Sequence, residues 1–224
     1  MPRTEHSLHL DMSVVTDPIV ADALPELLQE WRAKKRWGDI SPRTKAFHWD
    51  ILVSFLNHGR PPDIAGIDPA ILSDLQDRDL LVLDGNAVSH AYPFSNRRMP
   101  HTVTINGVTN STVCAIDAFG APAMVGSEGQ ICLECAVCGH AILIEIGDKG
   151  LELKSGPDDV RIWAGIGETG NCAATSNCQS MLGFCSVAHL KVWRDKQPQP
   201  TRGFAFSPKQ ALQAGAALFR PFTN

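Results

Sequence analysis

Cys114 and Asp117 stand three residues apart in Cys114-Ala115-Ile116-Asp117, and another thiol, Cys178, follows about sixty residues later. Thiolate sulfur binds soft metals or attacks electrophiles, according to its surroundings. A carboxylate beside a thiol raises the thiol's pKa by charge repulsion, which does not favour a lone nucleophile. The pair suits a reaction in which a proton is held, passed on and delivered, with Asp117 carrying it from the thiol to a leaving group. On one helix face, or at a strand-to-helix junction, this spacing aims both groups into one cavity. A surface turn with an incidental acid is the alternative.

A second pattern is Cys132-x-x-Cys135-x-x-Cys138-Gly139-His140, in which Cys-x-x-Cys-Gly matches half of a zinc ribbon. Tetrahedral coordination needs a partner pair, for which Cys172 and Cys178 are the loosely spaced candidates. A structural zinc site and a role for Cys132 and Cys138 as small core residues both stay open. The remaining histidines, His48, His58, His90, His101, His140 and His189 among them, show no ligand-type spacing and read as surface or structural groups.

All seven cysteines fall between Cys114 and Cys185, and the count is odd. The N-terminus, Met1-Pro2-Arg3-Thr4-Glu5-His6, has no apolar core of signal-peptide length. No later stretch approaches the ~18 uninterrupted apolar residues of a membrane span. A cytoplasmic chain with reduced thiols is expected, and a disulfide framework is not. A net charge of −4 gives no general attraction to nucleic acid or an anionic membrane. The local exception is the basic group Arg32, Lys34, Lys35, Arg36, Arg43 and Lys45.

The elements that must position these residues change character near residue 100. Residues 1–24 read as a loosely attached N-terminal arm. Helical periodicity begins at Pro25 with Leu27, Leu28 and Trp31, and resumes after Ser41-Pro42 with Phe47, Ile51, Phe55 and Leu56. A short element around Ile64–Ile67 precedes a helix opened by Asp68-Pro69. Leu80–Leu83, the turn Asp84-Gly85-Asn86 and Ala87–Phe94 then form a hairpin. Helix, short helix, helix, hairpin is the order of a winged helix over residues 25–98. Its second helix carries Asp74, Asp77 and Asp79 against one Arg78, so packing is expected in preference to DNA reading.

Beyond Pro100 the pattern becomes strand-like. His101–Ile105, the turn Asn106-Gly107 and Thr112–Ile116 are followed by strands near Gln130–Glu134, Ala141–Ile146, Gly150–Lys154 and Val160–Trp163. Ser207 and Pro208 open a last helix that buries Leu212, Ala216 and Phe219. Trp163 and Phe184 are candidate pocket walls. The fold class is α+β: a winged-helix-like helical domain, then a mixed β-sheet domain with flanking helices.

The stretch from Thr112 to Val125, with Cys114-Ala-Ile-Asp117 at its head and Ala121-Pro122-Ala123 behind, resembles the organomercurial (alkylmercury) lyases. Cys135-Ala136-Val137-Cys138-Gly139 falls where that family has a mainly structural cysteine. Cys178, with Phe184 and then Cys185-Ser186 after it, falls at the family's second catalytic thiol. The likeness covers about residues 100–220. It extends more weakly over 25–95, where the family carries a winged-helix-like domain that does not read DNA. Residues 99–224 would then be the cysteine-rich catalytic domain.

The resemblance implies protonolytic cleavage of the carbon–mercury bond of alkyl and aryl mercurials, giving hydrocarbon and Hg(II). Cys114 and Cys178 would bind mercury and Asp117 would shuttle the proton. No cofactor is implied beyond low-molecular-weight thiols for turnover. Hg(II) would pass to cellular thiols or a mercuric reductase, with no role for a membrane or nucleic acid. The family's second cysteine has a histidine and aromatic residues nearby. Here Gln179, Ser180, Met181, Leu182 and Gly183 intervene before Phe184, which leaves substrate range open. Cys132, Cys138, Cys172 and Cys185 have no assigned part. A cysteine-rich soft-metal-binding or sensing module, a zinc-ribbon scaffold and a homologue acting on another substrate are the competing readings.

Overall fold

The structure, a computed structural model, describes residues 10–166, residue 174 and residues 178–223. Its first helix, α1 (Pro18–Leu27), is opened by the Asp17 carboxylate, which accepts the Ile19 N–H, and by Pro18 in the first turn. Val20, Ala23, Leu24 and Leu27 form one buried stripe. The stripe packs against the C-terminal helix α7 (Pro208–Phe219). The Gln213 side chain accepts the N–H groups of Thr16 and Asp17, and the Asp11 N–H donates to Ala217 O. The arm expected over residues 1–24 is therefore docked from Leu10 onward, and its helix begins seven residues before Pro25. Residues 1–9 lie outside the described residues.

Helices α2 (Glu30–Trp37), α3 (Pro42–His58) and α4 (Pro69–Asp77) follow. Ser41 caps α3 by accepting the Thr44 N–H, and left-handed Gly59, at φ 69°, ends it. Asp68 and Pro69 open α4 in the same manner as Asp17 and Pro18. Strands β1 (Leu81–Asp84) and β2 (Ala87–Ala91) make the expected hairpin. The stretch after it breaks at Tyr92-Pro93 before the short β3 (Phe94–Ser95).

The hairpin β4 (His101–Ile105) and β5 (Val108–Thr112) turns at Asn106-Gly107, both at positive φ. Extension was expected to continue to Ile116, but α5 (Ala115–Val125) already begins there. Strands β6 (Gly129–Glu134), β7 (Ala141–Gly147) and β8 (Glu152–Ser155) complete an eight-stranded sheet ordered β1-β2-β3-β5-β4-β6-β7-β8. A smaller sheet has β9 (Arg161–Gly165) between β10 (Met181–Phe184) and β11 (Gly203–Phe206), and α6 (Val187–Asp195) follows β10.

The expected mixed sheet is antiparallel at every strand pairing. The one parallel contact among the described residues is the isolated Cys135–Gly183 bridge between the two sheets. Short turns join most neighbouring strands, so no crossover helices are needed. The large sheet runs unbroken across residue 98, and one hydrophobic core spans both sides of it. Among the described residues no helix is long and apolar enough to cross a membrane.

Helix α5 is buried from Ala115 to Met124, against the sheet on one side and α7 on the other. It crosses α7 where Gly120 meets Gly215. A Cβ at Gly120 would stand 2.7 Å from the Gly215 carbonyl oxygen, and that backbone cannot yield without moving the helix. Gly120→Ala is expected to cost about 1–3 kcal/mol by overpacking, read as a lower urea midpoint. An unchanged midpoint would show that the crossing is looser than the geometry says.

Candidate active site

Cys114 is the last extended residue before α5, with φ −147° and ψ 175°. Its N–H donates to Asp117 Oδ2 at 3.1 Å, and its sulfur accepts the Asp117 N–H. This is the reciprocal arrangement that ordinarily uses serine or threonine with glutamate to close a helix N-terminus. The closing of the helix start therefore also sets the thiol and the carboxylate side by side. Cys178 reaches them from a single 3-10 turn, Cys178–Ser180, just before β10. The three ligand atoms lie within 4.8 Å of one another, and the residues are only 1 %, 5 % and 7 % exposed in chain order. Met181 Sδ lies 3.5 Å from Cys114 Sγ. Sequence spacing allowed a strand-to-helix junction, and that is where Cys114 and Asp117 stand.

Burial pushes the Asp117 carboxyl up to about 7, against the opposing pull of hydrogen bonds to Cys114 and the charge of Arg36. Burial also drives the Cys114 thiol well up, helped by its hydrogen bond to Cys178 and by the Asp117 charge. The bond from Cys114 favours a Cys178 thiolate, but burial and the carboxylates of Asp117 and Asp79 outweigh it and keep that thiol raised. Near neutral pH both thiols therefore keep their protons, while Asp117 is the group that gains and loses one.

Arg36 was counted in the sequence as part of a local basic group. It is buried, with Nη2 2.9 Å from Asp79 Oδ2 and its guanidinium 4.8 Å from the centre of the Tyr92 ring. Arg32 joins the same carboxylate at 2.5 Å. Asp79, counted among the acids that would repel DNA, is thus the buried counter-ion of two arginines on α2. Arg36 Nε has no hydrogen-bond partner among the described residues.

A cavity of about 50 Å³ is walled by Leu28, Arg36, Tyr92, Met181 and Phe222, with Asp117 and Cys178 on its lining. A more open one of about 450 Å³ also reaches Cys178, past His90, Met99, His101 and Leu182. Arg36, Tyr92 and Met181 are site residues that the sequence reading missed. The available signal was Arg32 and Arg36 one helical turn apart beside Ala33 and Trp37, a stripe that faces inward.

Trp163 and Phe184 are not walls of this site. With Leu190 they form a separate apolar cluster, against which Leu182 and Trp193 pack. Cys132 lies half-buried on β6, opposite Leu143 and Thr102, and joins no ligand cluster among the described residues. Cys172 lies outside the described residues. The ribbon pairing expected of Cys172 and Cys178 is overturned on the Cys178 side, because that thiol belongs to the Cys114 cluster. Cys135 and Cys138 meet Cys185 and His189 instead, which places His189 within reach of three thiols.

Two buried thiols and a buried carboxyl with a raised pKa thus stand together on an antiparallel α+β scaffold, a donor set able to hold a soft metal beside a proton carrier. The MerB family model, alkylmercury lyase, matches residues 94–220, and the chain belongs to that family. It is a carbon–mercury lyase by class. Among solved structures, the chain is similar to the mercury-bound form of MerB2, at 18% identity and a TM-score of 0.70. The match covers 92% of this chain and 100% of that one. Among curated proteins none matches.

Proposed function

We propose that Cys114 and Cys178 bind the mercury of an organomercurial and that Asp117 supplies the proton that frees its carbon. The observation that carries this reading is the buried cluster in which both sulfurs and the carboxyl lie within 4.8 Å of one another. An incoming R–Hg–SR′ exchanges its thiolate for Cys178, and the Cys178 proton leaves with HSR′. Asp117 then takes the proton of Cys114, whose sulfur becomes the second ligand. Two thiolates raise the electron density on mercury and weaken its bond to carbon. Asp117 protonates the carbon, releasing R–H and leaving Hg(II) on the two sulfurs. The sum is R–Hg–SR′ plus two thiols giving R–H, HSR′ and a mercury bis-thiolate.

Turnover requires two external thiols to displace the metal, which fits a reducing, cytoplasmic setting and a hand-off to cellular thiols or a mercuric reductase. No organic cofactor enters the scheme. Nucleic acid has no part in it either, since α4 offers Asp74 and Asp77 where a reading helix would carry cations.

The test is benzene release from phenylmercury in excess thiol. The scheme starts with Asp117 ionised and both thiols protonated. Asp117 titrates at about 7, so kcat/KM is expected to fall about tenfold for each pH unit below that value. Both thiols are raised, so any alkaline limb lies above the ordinary thiol range. Absence of benzene, or a rate that is flat between pH 5 and 7, would sink the proposal.

A further inference from the structure

We infer that Cys135, Cys138, Cys185 and His189 form a tetrahedral binding site for a zinc-class divalent cation, separate from the mercury centre. The four ligand atoms lie within 4.8 Å of one another. His189 Nδ1 is 3.4 Å from Cys135 Sγ and 3.1 Å from Cys185 Sγ, and the sulfurs of Cys138 and Cys185 are 3.9 Å apart. A zinc tetrahedron has edges of about 3.8 Å between sulfurs and about 3.6 Å between sulfur and nitrogen. The sulfur–sulfur spacing is close to that edge and both sulfur–nitrogen spacings are shorter than theirs, while 3.9 Å between sulfurs is far beyond the roughly 2.05 Å of a disulfide.

The local fold is that of a metal knuckle. Cys135 and Cys138 bracket a tight turn closed by the Gly139 N–H on Cys135 O at 2.8 Å, with Gly139 at φ 70°. The backbone N–H groups of Val137 and Cys138 point at the Cys135 sulfur, and so does that of Cys185 from across the site. The second pair comes from the start of α6. Cys185 precedes Ser186, whose hydroxyl accepts the His189 N–H, and this cap turns the imidazole back one helical turn toward Cys185. The pattern is Cys-x2-Cys with Cys-x3-His, a three-sulfur, one-nitrogen set of the kind zinc takes in structural sites. Cys138 is exposed and Cys185 half-buried, so an ion can enter.

The site has a use. The Ala136 N–H bonds to Gly183 O at 2.9 Å, and a metal here would bolt the 135–140 turn to β10 and α6. Cys178 leads directly into β10. The bolt would therefore hold the second mercury ligand in place while keeping three other thiols occupied.

The experiment uses the full chain, purified with reductant and without chelator. Expected are about one zinc per chain and, after chelation, about one cobalt(II), with the thiolate-to-cobalt charge-transfer and d–d bands of a tetrahedral site. Cys138→Ser with His189→Asn should abolish that spectrum, whereas Cys114→Ser and Cys178→Ser should keep it. The last pair separates this inference from the lyase reading, which neither supports nor depends on it. The inference is overturned if wild type neither retains zinc nor gives the tetrahedral cobalt spectrum. It is equally overturned if the spectrum survives the double substitution, depends on Cys114 or Cys178, or if only Hg(II) loads the site.

Discussion

Asp117→Asn is expected to bind phenylmercury and fail to cleave it, with benzene release slowed about 10²–10⁴-fold, the range for loss of a positioned general acid. The amide oxygen can still accept the Cys114 N–H that the carboxylate accepts at 3.1 Å, so the helix start is kept. What is lost is the proton relay alone. Cys114→Ser and Cys178→Ser are expected to reduce release to background for a different reason: a hydroxyl is a poor ligand for soft mercury. Mercury retention in the presence of excess thiol separates the two cases, persisting in Asp117→Asn and falling in the serine variants. Benzene release that survives loss of Cys178 would rule out two-thiolate activation.

Asp117→Asn also carries a stability signature of definite sign. Burial raises the carboxyl from 3.8 to about 7, so between those values the folded chain keeps a proton that the unfolded chain has lost. Folding stability therefore falls as pH rises through that window. At about 1.4 kcal/mol per pH unit, the variant should gain up to about 4 kcal/mol over wild type at pH 8 and nothing at pH 3. Urea midpoints of the two proteins at those pH values check it. A gain of the same size at pH 3 would refute the titration of Asp117 as its cause.

The second large effect concerns Asp79. Its carboxylate bonds both Arg32 and Arg36, and all three side chains are withdrawn from water. Asp79→Asn leaves two buried guanidinium groups without their counter-charge, an arrangement that typically costs about 3–5 kcal/mol. The same change alters the chemistry. Asp79 raises Asp117 while Arg36 lowers it, so removing the former's charge should move the acid limb of kcat/KM to lower pH. Denaturation at neutral pH measures the first effect and the pH profile the second. A destabilised variant with an unmoved limb would show that the Asp79 charge does not reach Asp117.

What could be read from the chain divides by range. Signals contained in a few residues gave elements close to those observed, such as Ser207-Pro208 before α7, Asn106-Gly107 between β4 and β5, and Asp68-Pro69 before α4. Helix α5 was visible only as a possible junction. It is buried all round and so shows no apolar stripe, and Gly120 and Pro122 read as breakers. The partnership of Arg36 with Asp79 spans 43 residues and leaves no local trace. His189 is a subtler case. Its spacing from Cys185 is ligand-like, but Cys132, three residues before Cys135, completes a misleading run of evenly spaced thiols and drew the expected zinc set away from Cys185 and His189.

The start of α5 has a consequence for how this protein can change. Helices ordinarily close their first turn with oxygen-bearing side chains, for which any of several substitutes will serve. Here the residues that end the strand and begin the helix are two that the proposed chemistry would use, Cys114 as a mercury ligand and Asp117 as the proton carrier. On the proposed chemistry Cys114 serves the helix start and the reaction together, while turnover would keep Asp117 in place even where asparagine folds better. On that reading, change of substrate falls to walls such as Leu28 and Phe222, which lie outside the turn that holds the reagents.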